Sequence, residues 1–89
     1  MSYPKHVFAQ LKALDSGSLI GTLEKDGWVL DTTVGSIRTY IKQAENRPNR
    51  RVQVHYHGDK RTYGRWLLNK MLSEIEWTEN DLRRLKLIK

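Results

Sequence analysis

Between residues 28 and 57 apolar side chains recur at every second position, and on either side of that span they recur every third or fourth. This change of period restricts the fold more than any other feature, because it asks for a sheet in mid-chain flanked by helices. Residues 51–57 alternate most cleanly, with Val52, Val54 and Tyr56 on one side and Arg51, Gln53, His55 and His57 on the other. Residues 36–42 set Ile37, Thr39 and Ile41 on one face and Arg38, Tyr40 and Lys42 on the other, and residues 28–33 read as a further strand that Val34-Gly35 breaks. Pro48 keeps the polar stretch 43–50 out of the sheet as a loop.

The flanks carry the helical period. Val7, Phe8, Leu11 and Leu14 make a short stripe within residues 4–14, and Leu19, Ile20 and Leu23 a second, ended by Asp26-Gly27. From Tyr63, residues Trp66, Leu67, Met71, Leu72 and Ile75 describe an amphipathic helix of about three turns. Thr78 and Asp81 have the spacing of a capping box that opens a last short helix through Leu82 and Leu85. The expectation is an α+β fold: a three-stranded antiparallel sheet with helices packed on one face, in the order helix-strand-strand-strand-helix, plus short N- and C-terminal helical segments. The three tryptophans, Trp28, Trp66 and Trp77, are expected in its core. A chain of 89 residues holds one such domain, 1–89, with 1–15 as an N-terminal extension.

The formal net charge is +6, and it is localised: residues 36–70 carry +7 and the remainder −1. A cationic stretch of this kind is the electrostatic footprint of a polyanion partner, or else a solvated basic surface kept for solubility. There are no cysteines, so disulfides, thiolate metal sites and cysteine nucleophiles are excluded. No apolar run approaches the roughly 20 residues of a membrane span, and residues 1–6 do not resemble a signal peptide. A cytoplasmic protein with no membrane association and no small-molecule cofactor is expected.

His55 and His57 are the candidate acid and base, since a period of two sets both imidazoles on one polar strand face with Arg51, beside Lys60, Arg61 and Tyr63. Metal-free RNA cleavage needs a base, an acid and cations that hold the phosphate, and this face offers all three. Each histidine also has a plainer reading, as a contact to phosphate or base or as a structural residue. The residue pattern contains no convincing metal site.

Leu19-Ile20-Gly21-Thr22-Leu23-Glu24-Lys25-Asp26-Gly27-Trp28 resembles the first helix and strand of the HicA family, toxins of type II toxin–antitoxin systems. Gly35-Ser36-Ile37-Arg38-Thr39-Tyr40 is similar to the family's Gly-Ser-His-x-x-aromatic segment. Val52-Gln53-Val54-His55 with His57-Gly58-Asp59-Lys60 resembles its third strand and following turn, and the likeness extends over residues 16–85. The resemblance implies a double-stranded-RNA-binding-domain-like fold, metal-independent mRNA interferase activity, and a HicB-like antitoxin as partner. The family's catalytic histidine falls on Ile37, which neither takes nor gives a proton, and Lys42 stands where the family often has a second histidine. Three accounts fit this departure: a catalytically silent relative, chemistry moved to His55 or His57, or a substitution that disarms a toxin. If Tyr40 is core, as the resemblance implies, Ile37 is exposed; if instead Ile37 and Ile41 are core, Tyr40 points outward and could stack on a base.

Three functions follow as expectations. The first is an mRNA-binding and mRNA-cleaving toxin in which Arg38, Lys42, Arg51, Lys60 and Arg61 hold phosphates. The second is a non-catalytic RNA-binding module using the same face. The third is a protein-interaction module for an antitoxin-like partner, or one that pairs through a sheet edge. The first two are expected to use a sheet surface lined by Arg and Lys, with the apolar side of the sheet against helices.

Overall fold

The computed structural model describes residues 3–43 and 48–89. Its elements run α1 Lys5–Leu11, α2 Ser16–Lys25, β1 Val29–Val34, β2 Ile37–Lys42, β3 Arg50–His55, α3 Arg65–Ile75 and α4 Glu79–Arg84. The strands form one antiparallel sheet in the order β1-β2-β3. The α+β architecture expected from the two periods is present. Residues 44–47, half of the polar loop expected over 43–50, lie outside the described residues, and Arg50 at its end belongs to β3 instead.

Local chemistry sets the element ends. Gly27, at φ 94°, closes α2 in a Schellman motif: its own N–H donates to Glu24 O at 3.1 Å and that of Trp28 to Leu23 O at 2.9 Å. A two-residue turn with Gly35 first, at φ 58°, joins Val34 to Ile37, the arrangement whose twist suits a hairpin. Thr78 and Asp81 form the reciprocal capping box at the start of α4.

One face of the sheet supplies Tyr40, Val52 and Val54 to the core, where they meet Val7, Phe8 and Leu11 of α1, Leu19 and Leu23 of α2, and Leu68, Met71, Leu72 and Ile75 of α3. Trp28 and Trp77 are buried among them. The N-terminal helical stripe docks on this core, and Tyr3 O–H ties it down by donating to the Trp77 carbonyl at 2.5 Å. Trp66 departs from expectation: it is 75% exposed. The helix begins at Arg65, so Tyr63 lies outside it and its spacing to Trp66 carries no helical phase. The buried stripe is Leu68, Met71, Leu72 and Ile75, and Trp66 lies about 200° around the helix from Leu68 at 100° per residue.

Asp26 is the main polar tie. Its carboxylate accepts from Trp77 Nε1 at 2.8 Å and Trp28 Nε1 at 3.3 Å, and pairs with Lys42 Nζ at 3.1 Å and Arg84 Nη2 at 2.9 Å. Arg50 ties β3 to the end of α3: its Nη2 donates to the Glu74 and Ile75 carbonyls at 3.0 and 2.5 Å and pairs with Glu76 at 2.7 Å. A cation at that position also suits the helix dipole.

Candidate nucleic-acid interface

The expected Arg/Lys-lined sheet face is not what the structure presents. The register puts Val29, Thr32 and Val34 of β1, Ile37, Thr39 and Ile41 of β2, and Arg51, Gln53 and His55 of β3 on the face away from the helices. Among these residues Arg51 is the single Arg or Lys, none is Asp or Glu, and Val29, Val34, Ile37 and Ile41 form the apolar part of the face. Tyr40, only 2% exposed, lies on the opposite, core face, so Ile37 faces outward beside His55, its cross-strand partner.

The other cations are distributed by local contacts. Arg38, opposite Val54, stacks its guanidinium 3.9 Å from the centroid of the Tyr56 ring. Lys42 is engaged by Asp26, so it serves the fold before it could serve a phosphate. Lys60 and Arg61 are exposed on the loop that joins β3 to α3, and no acid pairs with Arg38, Arg51, Lys60 or Arg61 among the described residues.

That loop is fastened. Ser16 N donates to Arg61 O and Gly17 N to Asp59 O, each at 2.9 Å, so the first amides of α2 hold the loop rather than an external anion. Gly17 allows the approach, since a Cβ there would sit 3.0 Å from the Asp59 Cβ. Tyr63 O–H donates to the His55 carbonyl at 2.8 Å and lies 2.7 Å from Ser16 Oγ, linking the far side of the loop to β3. Tyr56 O–H donates to Asp59 Oδ1 at 2.6 Å, which raises the phenol pKa through that bond. Asp15, the N-cap of α2, accepts from Ser18 N at 2.8 Å; that bond, with Lys60 as a further positive neighbour, holds its carboxyl below the ordinary carboxylate range. Lys60 and Arg61 are thus presented on a braced frame, with Arg38 on the strand beside it and Arg65 and Trp66 opening the next helix.

The histidine pair does not form as the alternation suggests. Strand β3 ends at His55, where Tyr56 N donates to Ser36 O at 2.7 Å, and His57 follows in the bend before Gly58, whose φ is 114°. The strand, and with it the period-two argument, therefore stops two residues short of His57. Neither imidazole has a hydrogen-bonded orienting partner among the described residues, whereas a general base is normally held in place by one. Sequence reading missed the Arg38–Tyr56 stack and the fastening of the loop to α2; Gly17, ahead of the helical stripe, was the one local signal for the latter.

No helix among the described residues is long and apolar enough to cross a membrane. Comparisons of the chain with protein-family models, curated proteins and solved structures return no match.

Proposed function

We propose that this chain is a HicA-like module that binds RNA, gripping the backbone of single-stranded or looped mRNA with the cations at the β3–α3 end of the molecule. The observation that carries the reading is the braced loop on which Lys60 and Arg61 stand exposed and unpaired by any described acid. Arg38 adds a third cation nearby, and Trp66 offers an aromatic face at the start of α3 on which a base could stack. Phosphate neutralisation needs exposed cations, and the loop that carries Lys60 and Arg61 is fastened to α2 through its backbone.

The reading ends at binding. Ile37 occupies the position that the resemblance gives to the catalytic histidine, and His55 and His57 lack orienting partners among the described residues. A HicB-like antitoxin with complementary acidic charge would compete with RNA for the same cations.

Filter binding of labelled single-stranded RNA tests the proposal. Affinity should fall linearly on a log–log plot against salt, by roughly 0.7 in log K per phosphate neutralised, and the RNA should stay intact without added metal. Absent or salt-insensitive binding would overturn it, and metal-free cleavage would overturn the restriction to binding.

A further inference from the structure

We propose that two copies of this chain pair antiparallel through β1, Val29 opposite Val34, joining their sheets into one. All six residues of β1 are exposed, and Val29, Leu30 and Val34 are 62%, 46% and 74% accessible. The strand lies at the edge of the sheet, so its outward N–H and C=O groups have no ladder partner among the described residues. Monomeric proteins commonly guard such an edge with lysine, proline or a covering element. This strand has neither residue, and Asp31 is its sole charge.

The register selects a second copy as the occupant. In a regular strand Val29 and Val34 would point to opposite faces, being an odd number of residues apart. The irregularity between Leu30 and Thr32 inserts one residue, and both valines face away from the helices, beside Ile41 and Ile37 respectively. About a two-fold axis between Asp31 and Thr32, Val29 then meets Val34 of the other copy on one face and Leu30 meets Thr33 on the other. Apolar stripes Ile41-Val29-Val34-Ile37 run across the junction twice. The two bulges coincide at the axis, so neither interrupts the pairing on its flanks. An unrelated strand would have to reproduce both the pattern and the bulge.

Area and charge set the strength. Three partly exposed apolar side chains and one six-residue strand edge from each copy make a small contact, below the roughly 1,200 Å² at which weak and transient association gives way to stable interfaces. Asp31 lies next to its symmetry mate, so like charges oppose the contact. The dimer is therefore concentration-dependent, and Asp31→Asn tightens it.

The test uses the intact chain, which has no native cysteine. Val29→Cys and Val34→Cys are made separately and mixed under oxidising conditions. The mixture should give a 29–34 cross-linked dimer, while each variant alone gives little. Sedimentation of the unmodified chain should show mass rising with concentration, and Val34→Lys should abolish the rise with an unchanged circular dichroism spectrum. A monomer at every attainable concentration, including with Asp31→Asn, overturns the proposal, as does cross-linking as efficient within either single variant as between the two. This outcome is independent of RNA binding, whose cations lie outside β1.

Discussion

The indole N–H of Trp77 donates to Asp26 Oδ2 at 2.8 Å, joining residues 51 positions apart in sequence. One carboxylate at the end of α2 thereby holds the segment before α4, and through Lys42 and Arg84 it holds the end of β2 and α4 itself.

Asp26→Asn keeps the shape and removes the charge on which four donors converge; it should cost about 2 kcal/mol, the scale of hydrogen bonds to a charged group. Burial pushes the Asp26 pKa up, but the bonds from Trp77, Arg84 and Lys42 outweigh it and hold the group below the ordinary carboxylate value. A lowered folded pKa means a contribution fully present above the unfolded value of about 4 and lost as pH falls through the folded one. Urea unfolding of both proteins should therefore show a wide gap at neutral pH that narrows in strong acid. Asp15 and Asp81, whose pKa values are also lowered, should leave the variant some acid sensitivity of its own.

The tryptophans of α3 and of the segment before α4 should behave oppositely on truncation. Trp77→Ala empties a core site and should cost about 3–5 kcal/mol. Trp66→Ala should stay within about 0.5 kcal/mol of the parent, while weakening RNA binding by about 1–3 kcal/mol if a base stacks there. Thermal unfolding and filter binding on the same two proteins separate the effects.

Salt dependence distinguishes the cations. Lys60→Ala and Arg61→Ala should each reduce the slope of log K against log salt on single-stranded RNA by about 0.7. Lys42→Ala, whose ammonium pairs with Asp26, should leave that slope alone and lower stability by about 1 kcal/mol or less.

The two ends of α4 should respond with opposite signs. Thr78→Ala breaks the capping box and should cost about 1 kcal/mol. Lys86 closes the helix at φ 62°, where Lys86 N donates to Arg83 O and Leu87 N to Leu82 O, the Schellman pattern with a lysine in the left-handed position. Lys86→Gly relieves that conformation and should raise stability by up to about 1 kcal/mol. Denaturant midpoints at constant slope measure both.

What could be read from sequence was whatever local spacing controls. Val52 and Val54 announce β3, Asp26-Gly27 announces the end of α2, and Thr78 with Asp81 announces α4, because each signal lies within a few residues of its effect. The unread features depend on tertiary neighbours or on helical phase. Nothing around Lys42 reveals that it ends beside Asp26, and no residue in Val29–Val34 marks the extra backbone unit at Asp31. At the candidate site the basic loop was legible, but its bracing by α2 was not. His57 was placed on a strand face because alternation persists in sequence after the backbone has turned away.

The unequal placement of the three indoles also makes the protein its own optical reporter. Trp28 and Trp77 are sealed in the core while Trp66 stands in water. Intrinsic emission therefore divides into a shielded component that follows unfolding and a quencher-accessible one that follows events at the head of α3. An occupant seated there would change the second component and leave the first untouched, without any label being attached.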